Sequence, residues 1–150
     1  MPQSLASIIL HIVFSTKNRS PVLYASVRPA LFAYMAEVSR EIGCECYRVG
    51  GVEDHVHIAV GLSRTISVAQ YVEVVKNASS KWLKKQSALL HNFSWQRGYG
   101  AFSVRKSGLD QLVRYINRQE EHHRKRSFKH EYIRVLKQSG VDYDERFVWD

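Results

Sequence analysis

Glu53-Asp54-His55-Val56-His57-Ile58-Ala59-Val60 is the stretch on which the reading of this chain turns. Its second half is the apolar run of a buried strand, yet its first half sets two histidines one residue apart, where a core strand would carry branched aliphatics. Side chains alternate along a strand, so Val56, Ile58 and Val60 share one face and His55, His57 and Ala59 the other. Both imidazoles therefore point the same way, roughly 6.6 Å apart, within reach of a single divalent ion. A half-exposed strand with histidine at its outward positions gives the same pattern, so the pair alone does not fix the chemistry.

The flanking segments supply a fold. Residues 44–49 and 55–62 read as a β-hairpin, joined through the glycine pair Gly50-Gly51 and the acids Glu53-Asp54. Residues 8–16 read as a first strand, and the segment from Pro21 to about Glu41 as a helix that stops near Gly43. A second helix starts near Ser67, because Val68, Tyr71, Val72, Val75, Trp82 and Leu83 recur at helical spacing. A loop with Gly98 and Gly100 leads into a strand over 101–105. A third helix begins at Ser107-Gly108-Leu109-Asp110, with Ser107 as its cap, and runs to about His123. The order β-α-β-β-α-β with an added helix predicts an α+β, ferredoxin-like (RRM-like) sandwich: an antiparallel sheet with helices on one face, plus a C-terminal tyrosine-bearing helix. The charged, aromatic tail after Ser127 has no place in that order.

The chain has 150 residues, 45% of them hydrophobic, which suits one domain spanning 1–150. Lysine and arginine number 22 against 14 acids, and the resulting +8 suits a polyanion, whether nucleic acid or an acidic membrane surface. No apolar run approaches the ~18 residues of a membrane span. The apolar run from Leu5 to Phe14 lacks the basic flank and cleavage site of a signal peptide, so a cytoplasmic location is expected. Cys44 and Cys46 do not make a disulfide framework. A zinc site of Cys44, Cys46, His55 and His57 stays open, subject to the register of the hairpin.

The third helix holds a second constellation. Leu109, Leu112, Val113 and Ile116 form its apolar stripe, while Tyr115 and Gln119 lie four apart at the border and His122 continues their row. Tyr115 at the edge of a core with its hydroxyl in water, and Gln119 as a solvated helix position, is the plain structural alternative. Taken with the histidines, these residues resemble the HUH-type single-strand DNA transposases, the small bacterial insertion-sequence enzymes with one catalytic tyrosine, including their REP-associated tyrosine transposase relatives. The resemblance is carried by His55-Val56-His57, by Tyr115 with Gln119, and by two flanking stretches, His11-Ile12-Val13-Phe14-Ser15-Thr16-Lys17 and Gly98-Tyr99-Gly100-Ala101-Phe102-Ser103-Val104. It extends from the first strand through the third helix and gives nothing for the end from about Val141.

The resemblance implies metal-dependent transesterification on hairpin-bearing single-stranded DNA. His55, His57 and Gln119 would hold Mg²⁺ or Mn²⁺, and the Tyr115 oxygen would attack phosphorus, leaving a 5′-phosphotyrosine and a free 3′-hydroxyl without ATP. A phenol of pKa near 10 is ionised in only about one molecule in a thousand at pH 7, a cost of about 4 kcal/mol. Lewis acidity worth several kcal/mol can offset that cost. Nitrogen ligands tilt the choice toward Mn²⁺, and cellular abundance toward Mg²⁺. The resemblance also implies a homodimer in which the tyrosine helix of one subunit can complete the histidine pair of the other.

Basic residues offer a DNA surface: Lys76, Lys81, Lys84 and Lys85 on helix two, His122, Arg124 and Lys125 after the tyrosine, and Lys17, Arg19, Arg105 and Arg118. An ordinary solvated face is the alternative. Trp95, Tyr99 and Phe102 are candidates for stacking on unpaired bases, or for the core. Two rival functions remain at this level. One is a noncatalytic single-stranded nucleic-acid-binding module of the same fold, which leaves His55, His57, Tyr115 and Gln119 unexplained. The other is a domesticated relative acting on chromosomal hairpins.

Overall fold

A computed structural model of the chain describes residues 3–121 and 127–144. Strands β1 (Ile9–Ser15), β2 (Glu45–Gly51), β3 (His55–Gly61) and β4 (Gly100–Ser103) form one antiparallel sheet in the order β2-β3-β1-β4. Helices α1 (Arg28–Glu41) and α2 (Val68–Gln86) connect β1 to β2 and β3 to β4, and α3 (Leu109–Asn117) and α4 (Phe128–Gln138) follow the sheet. This is the ferredoxin-like order expected from the sequence.

The period-2 pattern of β1 and β3 sorts the two faces. Register sets Leu10 opposite Val60, Ile12 opposite Ile58 and Phe14 opposite Val56. These residues meet Leu31, Met35 and Val38 of α1 and Tyr71, Val72, Val75 and Leu83 of α2 in the main core. Burying such side chains stabilises by about 1.5–3 kcal/mol each, the main force holding this layer. The other face carries Val13 and Phe102, which pack with Phe128 and Leu136 of α4 in a second cluster. Helix α3 lies against β2 on this face. A Cβ on Gly50 would stand 2.5 Å from the Ile116 side chain and 2.9 Å from its carbonyl oxygen, so the missing side chain is what lets α3 approach. The histidines are thereby enclosed between the sheet and the C-terminal helices.

Several boundaries differ from the sequence reading. Helix α1 begins at Arg28, not after Pro21: residues 21–27 are turns, and Pro29 falls in the first helical turn, where a missing N–H is no loss. Gly50 and Gly51 belong to β2 itself, so the hairpin turn is the 52–54 segment. Ser67 caps α2 as expected, in a reciprocal capping box with Gln70. Ser107 does not cap α3, because it lies in a 3-10 turn and Gly108 takes the cap position. Nor does α3 continue to His123: Arg118, at φ −100° and ψ 18°, breaks it, and a further helical turn follows at 119–121. The tail after Ser127 forms α4, capped by the Ser127 hydroxyl on the His130 amide.

Cys46 pairs with Val60, and the Cys44 sulfur accepts from the Ser63 amide at 3.4 Å. His57 pairs with Gly50 at the opposite end of the same hairpin, so register rules out the zinc arrangement, and both thiols are free. No described helix is long and apolar enough to cross a membrane.

Candidate active site

Strand β3 presents His55 and His57 on the face that α3 and α4 cover, and both rings are almost wholly buried, at 0% and 1% exposure. A buried imidazole needs partners at both nitrogens. On the far side of each ring the partner comes from the hairpin turn or the neighbouring strand: Asp54 Oδ1 lies 2.7 Å from His55 Nδ1, and His11 Nε2 lies 2.7 Å from His57 Nδ1. With their Nδ1 atoms engaged, both rings turn Nε2 toward the helices.

Three side chains converge there. Gln119 Oε1 lies 3.1 Å from His55 Nε2. Glu131, from the inner stripe of α4, sets Oε1 3.3 Å from His57 Nε2 and Oε2 3.5 Å from His55 Nε2. The Tyr115 hydroxyl donates to Glu131 Oε1, and Gln119 Nε2 donates to the same oxygen at 3.1 Å. The Tyr115 ring stands edge-on to His57 at a centroid distance of 5.6 Å, and Phe128 stacks on His55 at 4.2 Å. Tyr115 thus meets the histidine pair of its own chain.

Electrostatics follow from this enclosure. Burial, reinforced by His57, pushes His11 down to about 3, so it stays neutral beside His57 Nδ1. Burial also lowers His57. For His55 burial acts downward, but Asp54 and Glu131 outweigh it and raise the ring to about 9. Burial acts upward on Glu131, but the His55 and His57 rings facing it outweigh that and hold the carboxyl well below the usual range. Burial and then the Glu131 charge raise the Tyr115 phenol well above its ordinary value. Such a phenol ionises readily only if positive charge is added nearby.

The donor set fits a divalent cation. One nitrogen from each of His55 and His57 and one Glu131 oxygen lie within 4.8 Å of one another, and Gln119 adds an amide oxygen beside them. Two of these atoms, His57 Nε2 and Glu131 Oε2, are buried without a hydrogen bond among the described residues. Imidazole with oxygen ligands suits Mn²⁺ and its neighbours, and Mg²⁺ where oxygen donors dominate.

The family of transposases described as IS200-like matches residues 4–119, from before β1 to the glutamine at the site. The chain belongs to the IS200-like transposase family. The ISDra2 transposase TnpA of Deinococcus radiodurans is 22% identical over 116 residues, covering 74% of this chain and 83% of its own. A crystal structure of a candidate transposase from Deinococcus radiodurans superposes at a TM-score of 0.61 with 20% identity, covering 79% of this chain and 98% of that one. A REP-associated tyrosine transposase bound to a REP hairpin superposes at 0.60 with 16% identity, covering 82% of this chain and 72% of that one.

In this IS200-like transposase the residues expected to act together, His55, His57, Gln119 and Tyr115, occupy one spot. The basic residues scatter. Lys17, Arg19, Arg105 and Arg118 are exposed, while His122, Arg124 and Lys125 lie outside the described residues. Lys81, Lys84 and Lys85 are exposed on α2, the layer across the sheet from the histidines. Lys76 does not share that outward face: it donates to Gln96 O at 2.8 Å and Gly98 O at 2.6 Å, and burial lowers it to about 8. Trp95 and Phe102 are core residues, at 9% and 7% exposure, which leaves Tyr99, at 39%, as the exposed ring of the three.

Asp54, His11 and Glu131 are site residues that the sequence reading passed over. Glu131 carried a signal, since Phe128, Tyr132, Val135 and Leu136 mark an apolar helical stripe and an acid sits within it.

Proposed function

We propose that this transposase, acting over residues 1–150 as one unit, cleaves and rejoins single-stranded DNA at hairpin-bearing element ends by metal-dependent transesterification, as an HUH-type enzyme. The supporting observation is that one chain gathers a half-buried tyrosine hydroxyl, two imidazole nitrogens and an amide oxygen around one spot. Tyr115 is the nucleophile. Its oxygen forms a bond to the scissile phosphorus as the phosphorus–O3′ bond breaks, giving a 5′-phosphotyrosine and a 3′-oxygen that takes up a proton. The reverse step rejoins the strand, and the bond energy is conserved throughout. His55, His57 and Gln119 hold Mg²⁺ or Mn²⁺, which when bound supplies Lewis acidity at the scissile phosphate. Asp54 and His11 engage the two Nδ1 atoms, which turns both Nε2 atoms toward an ion; His55 would give up its Nε2 proton on binding one.

A path for the strand adjoins this spot. A cleft of about 240 Å³ is lined by Val13, Arg19, Arg97, Tyr99, Phe128 and Tyr132, combining cations with aromatic rings as single-strand channels do. Phe128 belongs to the cleft and stacks on His55, so a strand lying there passes beside the phosphate-directed side chains. The hairpin-bound REP-associated relative supports hairpin DNA as the partner. A homodimer, with Tyr115 acting in its own subunit or a partner's, belongs to the same proposal.

The test is a denaturing-gel search for a covalent protein–DNA adduct on labelled single-stranded oligonucleotides from the flanks of the gene. A Mn²⁺-dependent adduct in the wild type and none in Tyr115→Phe, which should still bind DNA, is the expected result. An adduct retained by Tyr115→Phe would overturn the nucleophile assignment, and tight binding with no adduct on any flank would favour a binding module.

A further inference from the structure

Resting on the metal-site reading above, we infer that Glu131 of α4 is itself a ligand of the ion and bridges it to the nucleophile: Oε2 binds the metal while Oε1 keeps the Tyr115 hydroxyl.

Charge is the first reason. His55, His57 and Gln119 are a neutral ligand set, and Mg²⁺ and Mn²⁺ are hard dications that favour anionic oxygen. Glu131 is buried at 7% exposure, and among the described residues it is the carboxylate that stands within 4.8 Å of both imidazole nitrogens. The second reason is the unmet atoms. Oε1 is saturated by Tyr115 and Gln119, whereas Oε2 and His57 Nε2 are buried with no hydrogen bond among the described residues. Buried charged atoms carry a heavy desolvation cost unless paired or metal-bound, and one ion among Oε2, His55 Nε2 and His57 Nε2 would satisfy both orphans together. The third reason is placement. Glu131 sits at the centre of the inner stripe of α4, between Phe128, which stacks on His55, and Leu136, which packs in the cluster with Phe102. The helix is thus docked on both sides of the acid, and its carboxylate is aimed before any ion arrives.

The bridge makes ion binding and tyrosine placement one event. A carboxylate that ligates through one oxygen and accepts the phenol through the other holds Tyr115 at a set distance from the ion, and α4 becomes part of the active site.

Calorimetric titration of the full chain with Mn²⁺, without DNA, reads this directly. Wild type should bind, Glu131→Gln should bind at least about tenfold more weakly, and Lys84→Ala, exposed on α2 across the sheet from the site, should bind as wild type does. Hydrogen exchange across 128–138 should slow on adding Mn²⁺ to wild type and not to Glu131→Gln. Glu131→Cys provides a second variant with a gain to read: a thiolate in the shell should shift preference from Mn²⁺ toward Cd²⁺. If His57→Ala loses Mn²⁺ while Glu131→Gln retains wild-type affinity and Glu131→Cys gains no Cd²⁺ preference, the bridge is refuted and the metal-site reading stands. If wild type binds no Mn²⁺, that reading fails and the inference fails with it.

Discussion

Asp54 sits immediately before the histidine pair and holds His55 by its Nδ1 atom at 2.7 Å, fixing which nitrogen is left for a ligand. Partners of this kind are worth about 10–100-fold in metal affinity, so Asp54→Asn should weaken Mn²⁺ binding by that factor while the fold persists. Calorimetry on the variant checks it, and unchanged affinity would remove Asp54 from the site. The shared face of the histidines is legible because strand alternation is a local property of a chain, whereas Tyr115 and Gln119 are picked out by the family resemblance, since α3 ends at Asn117 before the glutamine. His11 and Glu131 were not legible in the same way. His11 reaches His57 only because β1 pairs with β3 with His11 beside Ala59, and Glu131 meets the pair only through α4 folding back over the sheet. Both depend on contacts between residues 46 or more apart in sequence.

The elements show where periodicity sufficed and where sterics intervened. Strands and helix order were readable from the apolar pattern, and the serine cap of α2 from Ser67 and Gln70. The glycine pair was misassigned to a turn because its role is an approach between elements, which no local pattern records. Gly50→Ala should push Ile116 away from β2 and cost about 1–3 kcal/mol as an overpacked contact. Urea unfolding would read the loss, and cleavage should fall as well, because Ile116 and Tyr115 are neighbours on α3. A variant of full stability and activity would show that α3 is free to shift. At the other end of the chain's order, Ser67→Ala should cost about 1 kcal/mol through the lost cap and leave cleavage unchanged.

Across the whole molecule, positive charge is spread over both layers, yet the site opens on one. Binding of single-stranded DNA should fall with salt at a slope of about −0.7 per neutralised phosphate. Arg19→Ala, at the cleft, should lower the magnitude of that slope by one such step, whereas replacing Lys81, Lys84 and Lys85 together should leave it unchanged, since α2 lies across the sheet. Equal losses from both variants would mean that the strand wraps the molecule. The wall of the cleft has a further consequence. The segment from Ser94 to Gly98 is tied to the first strand and its turn by Lys17 N to Ser94 O, Gln96 N to Ser15 O and Asn18 N to the Gln96 side chain, and to α2 by the Lys76 amine. Immobilising a free side chain on association costs about 0.5–1.5 kcal/mol, and a loop costs more. Here that entropy is already spent during folding, so if the cleft is the DNA path proposed above, an entering strand would meet a surface that need not be ordered, and its capture should be governed by encounter rather than by rearrangement of the protein.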